Sequence, residues 1–374
     1  MNQFSDHPIS LSAPHLSGWE LAFLQDPDPG NLPLLVGQFE KALCLATKAT
    51  FSLATPSGTA ALELALRTLD IGPGESIICP ALTFAATANA ILAVGATPVF
   101  IGSEPTSWGL DPGTLETALK TLPKRPKAIV VVDLYGMPAR WDDLQSIADQ
   151  YEIPLVADAA ESLGSLLNGR ACGTMGLLNA VSFNQNKIIT TLGGGALLAN
   201  SQVIMGKARI IANQGRQTES PYEQLMAGGN YRINPIAAGF GLCQLAVLSE
   251  RLAQRRTIFE QYQSALHQLS GLCFQPERAG AKSNRWLTAL TIDPTRTGVS
   301  RDQVAQVLCH SGIETRPVFP PLHQQRAFQG CLFYGSSLTT ELAETGLCLP
   351  SGSGLSKEQI NQVIGLIQKE LGCH

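Results

Sequence analysis

One lysine stands between two apolar segments that are each typical of a buried strand. Lys187 follows the segment AVSFN, and three consecutive glycines, residues 193–195, come shortly after it. A lysine amine can bind an aldehyde covalently when its surroundings keep the amine neutral. A lysine in a surface loop is more commonly a solvated charge, so the functional interpretation depends on what else the chain supplies.

Two other segments carry groups that suit a phosphorylated ring. Ser57, Gly58 and Thr59 lie between a predicted strand and a predicted helix, where backbone N–H groups and the helix dipole attract phosphate. A turn with an N-cap is the alternative. Asp158 ends the apolar segment IPLVAD, at the edge where open α/β sheets bind ligands; a helix cap is its alternative. With Lys187, these groups meet the needs of pyridoxal 5'-phosphate (PLP): an anion site, a carboxylate for the ring nitrogen and an amine for the aldehyde.

A fourth segment, GIETRPVFPPLHQQ (312–325), is stiffened by prolines and carries Arg316 and His323. Because the chain has no overall positive charge, an anionic ligand would need local arginines or backbone N–H groups. An ordinary polar loop is the alternative interpretation.

Composition limits the classes of function. The chain has 374 residues, 44% of them apolar and 15% charged, with a net charge of −4, so it predicts a folded enzyme-sized protein without a basic field for nucleic acid or membrane. Nine scattered cysteines without a CxxC pair favour a reducing compartment, and the six histidines show no metal-ligand spacing. We find no signal peptide or membrane-span pattern near the N-terminus or elsewhere, and expect a cytoplasmic protein without a metal.

Short apolar segments alternate with helical patterns as far as about residue 199. Strands are predicted at 50–55, 76–80, 97–101, 127–133 and 153–158, and helices at 59–69, 83–94, 111–122 and 139–151. This alternation predicts an α/β fold with a mostly parallel central sheet flanked by helices. The chain is mostly helical from Ser201, has a further strand signal at 285–293, and ends in a helix that starts near Ser356.

The order and identity of these segments resemble the DegT/DnrJ/StrS family of PLP-dependent nucleotide-sugar aminotransferases, within the fold-type I superfamily. The resemblance covers nearly the whole chain, from ISLSAPHLSGWELAFL through PSGTAALELAL, ADAAESLGS and SFNQNKIITTLGGGALL to LCLPSGSGL. It implies an N-terminal arm (1–40), a large PLP-binding domain (41–250) and a smaller α/β C-terminal domain (251–374).

The resemblance also implies roles for individual residues. Lys187 would bind the cofactor aldehyde and move protons, Asp158 would pair with the ring nitrogen, and Glu161 would lie near the phenolic oxygen. Phe84 would stack on the ring, with core packing as its alternative. The residues expected to bind the phosphate are Ser57, Gly58, Thr59 and Ser182.

Further implied residues concern the substrate and a second subunit. Asn230 would reach the phosphate of the neighbouring subunit, which implies a homodimer with active sites at the interface. Arg232, Arg316 and His323 would lie on the substrate side.

The implied reaction moves an amino group from glutamate to a keto group of a nucleotide-linked deoxysugar. The SFNQNK form favours a UDP-linked 4-keto-6-deoxy-N-acetylhexosamine; the alternatives are a 3-keto sugar or a GDP- or dTDP-linked sugar. A sugar dehydratase would carry histidine at the position of Lys187. A fold-type I lyase or desulfurase and a non-catalytic regulatory or binding relative are further alternatives.

Overall fold

The computed structural model describes residues 9–28, 30–216 and 222–372. Its helices are α1 (Trp19–Gln25), α2 (Leu32–Thr47), α3 (Gly58–Thr68), α4 (Ala86–Ala93), α5 (Pro112–Thr121), α6 (Trp141–Gln150), α7 (Gln202–Ala212), α8 (Pro235–Ala246), α9 (Leu248–Leu266), α10 (Pro294–Thr297), α11 (Arg301–His310), α12 (Leu338–Thr345) and α13 (Lys357–Gly372). Its strands are β1 (Phe51–Thr55), β2 (Ser76–Pro80), β3 (Thr97–Ile101), β4 (Ala128–Val132), β5 (Leu155–Asp158), β6 (Leu166–Leu167), β7 (Arg170–Ala171), β8 (Leu178–Ser182), β9 (Gly195–Ala199), β10 (Leu272–Phe274), β11 (Ala281–Lys282), β12 (Thr288–Ile292), β13 (Arg316–Pro317), β14 (Phe333–Tyr334) and β15 (Gly346–Leu349).

The main sheet has eight strands in the order β1-β9-β8-β5-β4-β2-β3-β14. The pairs from β8 to β14 are parallel, as predicted, and the central strand β4 is buried at every position. Strand β9 is antiparallel to both of its neighbours. The reason is that β8 and β9 are joined by a loop, residues 183–194, without the crossover helix that a parallel pair needs. The predicted α/β fold with a mostly parallel sheet is confirmed.

The helices that follow the first strands lie close to their predicted positions. Helix α3 begins where Ser57 accepts a hydrogen bond from the Ala60 N–H (3.0 Å), and its buried face packs on the sheet. The prediction for α4 was wrong at its start, because the helix begins at Ala86. Thr83 and Phe84 therefore lie in the loop between β2 and α4.

A second sheet, antiparallel throughout, has the order β10-β12-β15-β13, and α9, α11 and α13 pack around it. A small sheet of β11, β6 and β7 lies apart from it. Strand β14 belongs to the C-terminal part of the chain but pairs with β3 of the main sheet. The domain boundaries given above stay a prediction.

The N-terminal segment runs against the second half of the chain before α1 begins. The Ile9 N–H donates to the Gly312 carbonyl (3.0 Å), and the Glu314 N–H donates back to the Ile9 carbonyl (2.8 Å). This pairing brings Leu11 and Ser12 to the cavity at the carboxyl ends of the parallel strands.

Two findings bear on the compartment and membrane expectations. The eight cysteines within the described residues are all free. Over the same residues no single helix is long and apolar enough to cross a membrane; only α8 and α9 taken together, bent by 60°, meet the length and composition criteria.

Candidate active site

A cavity of about 700 Å³ lies at the carboxyl ends of the parallel strands. Asp158 is the last residue of β5 and Ser182 is the last residue of β8, so the parallel strands place both residues at this edge of the sheet. Nine of the predicted site residues line the cavity together: Ser57, Gly58, Thr59, Phe84, Asp158, Glu161, Ser182, Lys187 and Arg316.

Lys187 is not the solvated loop lysine that the sequence left open. Its side chain is only 13% exposed, and Nζ lies 3.7 Å from Oε1 of Glu161. On another side, Nζ lies 3.8 Å from the ring centroid of Trp286. Burial lowers the pKa of the Lys187 amine, while the charge of Glu161 acts in the opposite direction. The net effect of the surroundings is to lower the pKa of the amine from its ordinary value.

Glu161 is held on the side away from the lysine by backbone. Its Oε2 accepts a hydrogen bond from the N–H of Tyr135 (2.7 Å). Tyr135 has a φ of +56°, a left-handed conformation that is uncommon for a bulky residue. Burial raises the pKa of Glu161 to about 7, against the lowering effect of Lys187 and the Tyr135 N–H. Near neutral pH the carboxyl can therefore hold a proton.

Asp158 is buried and hydrogen-bonded. Its Oδ2 accepts from the hydroxyl of Thr87 (2.6 Å), and its Oδ1 accepts from the N–H of Ala160 (3.2 Å). The next α-helix of the described chain begins only at Gln202, so the helix-cap alternative for Asp158 is wrong. Burial raises the pKa of the carboxyl, and the Thr87 hydrogen bond lowers it. A buried carboxylate with one face toward the cavity is suited to a cationic ligand atom.

The N-terminus of α3 forms a cradle against β8 and β9. The hydroxyl of Ser57 caps the helix, so the capping alternative is correct for that atom, and the N–H groups of Gly58 and Thr59 lack an intrahelical acceptor. A Cβ on Gly58 would lie 2.8 Å from Cβ of Ser182, and one on Gly195 would lie 2.5 Å from the Gly58 nitrogen. Only glycine permits this close approach of backbone.

The mouth of the cavity carries Phe84 and Arg316. Phe84 is 59% exposed and contacts Phe319 with ring centroids 5.8 Å apart, so core packing was the wrong alternative for it. The side chain of Arg316 is 65% exposed, and its guanidinium forms an ion pair with Glu314 (2.7 Å). Both side chains are accessible to a ligand.

Three predicted residues lie outside the described lining of this cavity. Asn230 and Arg232 are exposed on the segment before α8. His323 instead stacks on Phe333, with ring centroids 3.7 Å apart, and burial lowers its pKa. Within one subunit, the structure does not bring these three side chains to Lys187.

The sequence profile of the DegT/DnrJ/EryC1/StrS aminotransferase family matches residues 34–368. This chain belongs to that family. EpsN of Bacillus subtilis (strain 168), whose name assigns it provisionally to the PLP-dependent aminotransferases, is 44% identical over 370 residues, which cover 96% of this chain and 95% of EpsN. The GDP-perosamine synthase of Caulobacter vibrioides is 33% identical over 373 residues, covering 98% of this chain and all (100%) of the synthase.

The crystal structure of a DegT DnrJ EryC1 StrS aminotransferase from Brucella abortus superimposes with a TM-score of 0.86 at 29% identity, over 94% of each chain. The expected family, fold-type I fold and class of PLP-dependent aminotransferase are thus confirmed, with PLP as the cofactor.

The cavity of this aminotransferase fits PLP by its own chemistry. A helix N-terminus beside the Ser182 hydroxyl suits the phosphate, the buried carboxylate of Asp158 suits the protonated ring nitrogen, and Lys187 suits the aldehyde.

Sequence reasoning missed several residues of the site. Trp286 and Tyr135 flank the lysine and Glu161, while Thr87 donates to Asp158. Trp286 lay within a predicted strand, where an aromatic residue predicts only core packing. The sequence carries no signal for Thr87, whose hydroxyl lies 3.2 Å from that of Thr83 in the loop before α4.

Proposed function

We propose that this aminotransferase moves the amino group of glutamate to a keto group of a nucleotide-linked deoxysugar. The observation that carries the proposal is the meeting of Lys187, Asp158 and the open N-terminus of α3 in one cavity. Bound PLP supplies the aldehyde that takes up the amine and a ring that accepts the electrons of the broken Cα–H bond.

Within this proposal the chain's own groups have distinct tasks. The Gly58 and Thr59 N–H groups and the hydroxyl of Ser182 bind the phosphate, and Ser57 holds the start of the helix in place. Asp158 keeps the ring nitrogen protonated. Lys187 would hold the cofactor aldehyde and, once its amine is free, would accept the donor's Cα proton on Nζ and give it up again.

The proposed substrate is an anionic sugar nucleotide, and a UDP-linked 4-keto-6-deoxy-N-acetylhexosamine is favoured. Arg316 at the cavity mouth can bind a diphosphate or a carboxylate once it releases Glu314. The similarity to a GDP-perosamine synthase supports a nucleotide-linked sugar. A 3-keto sugar and a GDP- or dTDP-linked sugar are the competing substrates.

We further propose a homodimer with shared active sites. Asn230 and Arg232 are exposed and lie outside the lining of the cavity in their own subunit, so they are free to enter the cavity of a partner. Exposed apolar side chains supply surface for such contact. Those on α1, α2 and the loop between β8 and β9 that carries Lys187 (the lysine loop, residues 183–194) are Trp19, Leu21, Leu24, Leu34, Leu45 and Leu192. The contact of His323 with substrate stays a prediction.

The first experiment is the visible absorption spectrum of the PLP-supplemented protein before and after glutamate. A band of lysine-bound cofactor that disappears with glutamate supports the amino-donor half of the reaction. UDP-, GDP- and dTDP-linked 4-keto and 3-keto sugars are then offered to the aminated protein, and return of the band identifies the acceptor. A band that does not change when glutamate is added would rule out glutamate as the donor, and the absence of any band would favour the non-catalytic alternative.

A further inference from the structure

A buried arginine lies behind the wall of the cavity. Arg255 of α9 is 1% exposed, and no carboxylate of the described residues lies within ion-pair distance of it. Its Nη1 donates to the carbonyl of Trp286 (2.5 Å) and its Nη2 to the hydroxyl of Ser12 (2.9 Å). A buried cation without a counter-ion is costly, so a role in stability alone explains it poorly.

Both partners of this arginine converge on the residue before the lysine. The Ser12 hydroxyl donates to the carbonyl of Asn186 (2.7 Å), and the indole Nε1–H of Trp286 donates to the same oxygen (2.8 Å). The Ser12 hydroxyl thus accepts a hydrogen bond from Arg255 and donates one to the Asn186 carbonyl, so it acts as acceptor and donor at once. The ring of Trp286 also lies 3.8 Å from Nζ of Lys187.

These contacts join three distant parts of the chain at one carbonyl. Ser12 comes from the N-terminal segment, Arg255 from α9, and Trp286 from the residues before β12. The loop between β8 and β9 lacks a helix of its own, so its position depends on such side-chain donors. Lysine side chains have four rotatable bonds, and a fixed backbone origin restricts where the amine can lie.

We propose that Arg255 is a positioning residue for Lys187: through Ser12 and Trp286 it fixes the Asn186 carbonyl, and so the point from which the lysine enters the cavity. This inference rests on the proposed role of Lys187 in binding PLP. The arginine contacts neither the lysine nor the ligand space. Its charge lowers the pKa of the Lys187 amine slightly from a distance, and its contacts reach the lysine loop only through its two partners.

The test uses matched pairs of variants in the PLP-loaded protein. Ser12→Ala removes the relay, whereas Ser12→Thr keeps the hydroxyl. Arg255→Met removes both donors, and Trp286→Phe keeps a ring but loses the indole N–H. Two quantities are measured: the apparent pKa of the lysine-bound cofactor from its absorption between pH 5 and 10 (roughly the range of a perturbed lysine), and the rate of PLP release on dilution. Thermal melting is the control for folding.

We expect Ser12→Ala and Trp286→Phe to shift the apparent pKa and to speed PLP release about fivefold, the effect of one lost hydrogen bond. Arg255→Met should shift the apparent pKa and speed PLP release by more than either of these variants, and Ser12→Thr should resemble the wild type. The charged groups that act on Lys187 besides Arg255 are Glu161 and Asp158, and all variants leave both in place.

Lower melting temperatures with an unchanged apparent pKa and release rate would make Arg255 purely structural and overturn the proposal. Equal changes in Ser12→Ala and Ser12→Thr would overturn the relay through the hydroxyl. If Arg255→Met fails to fold, the proposal is tested by Ser12→Ala, Ser12→Thr and Trp286→Phe without it. A wild-type protein without any cofactor band would overturn the proposed function itself, a result distinct from unchanged variants of a cofactor-binding protein.

Discussion

Lys187 Nζ lies 3.7 Å from Glu161 Oε1, and both side chains are largely withdrawn from water. Burial moves their pKa values toward each other, lowering that of the amine and raising that of the carboxyl to about 7. Their protonation is therefore coupled, and the amine is neutral and able to react with an aldehyde when the proton that the pair shares lies on the Glu161 carboxyl.

Replacing the lysine tests the centre of the proposal. We expect Lys187→Ala to reduce turnover by at least about 10⁴-fold, because both covalent binding of the cofactor and proton transfer are lost. The fold should survive, since the unpaired Glu161 carboxyl can take up a proton instead of remaining a buried charge. Assay and absorption spectroscopy measure the first effect and thermal melting the second. Retained transamination would refute the assignment of Lys187.

Glu161→Gln, studied in the protein without PLP, tests whether the Glu161 carboxyl holds a proton in the folded state. The Glu161 carboxyl ionises near pH 4.5 in the unfolded chain and at about 7 in the folded one. Between these values the folded state binds more protons, so this group's contribution to the free energy of unfolding falls as pH rises, by up to ~3 kcal/mol in all. Relative to the wild type, the variant should therefore gain stability from pH 4.5 to 7, as measured by urea unfolding.

The control is Glu314→Gln, a carboxylate at the cavity mouth whose side chain is 37% exposed. It shows how the loss of a more exposed carboxyl group at the same cavity changes stability over this pH range. A difference for Glu161→Gln that does not vary with pH would mean that Glu161 is ionised throughout, with Lys187 as its permanent counter-ion.

Much of the site could be predicted because its residues stand at the ends of regular elements. Asp158 and Ser182 end apolar strands, and Gly58 begins a helix after another strand, so a parallel sheet must bring them to one edge. Their chemistry then followed from residue type. The same argument gave the main sheet but not the direction of β9, which depends on how the lysine loop folds back.

The supporting residues could not be predicted because their surroundings come from distant segments. Arg255 lies in the charged stretch SERLAQRR, which is typical of a solvated helix face, yet its side chain is buried. Trp286 is separated from Lys187 by about a hundred residues, and no periodicity links the two. Tertiary packing alone places both residues beside the lysine loop.

Asp158→Asn separates catalysis from folding at the ring-nitrogen position. The amide has the shape of the carboxylate, and the Thr87 hydroxyl can accept a hydrogen bond from the amide N–H as readily as it donates one to the carboxylate. We therefore expect the free energy of unfolding to change by only ~1 kcal/mol. Turnover should fall by about 10²–10³-fold, because a preorganised charge opposite the ring is lost. Thr87→Val, which removes the hydrogen bond but keeps the charge, is the control and should cost far less turnover. A large fall in melting temperature with turnover retained would make Asp158 structural.

Mixing two inactive variants tests whether Arg232 serves the partner's cavity. If it does, Lys187→Ala and Arg232→Ala chains form a heterodimer with one intact site, built from the Lys187 of one chain and the Arg232 of the other. Equal mixing after mild dissociation should then restore about a quarter of wild-type activity, since half the dimers are mixed and each has one working site of two. If Arg232 serves its own subunit, both sites of the heterodimer carry a defect and the mixture stays inactive.

Mixing Lys187→Ala with Asp158→Asn is the control: both residues line one cavity within a subunit, so no activity should return. The same experiment with Asn230→Ala assigns the second predicted contact.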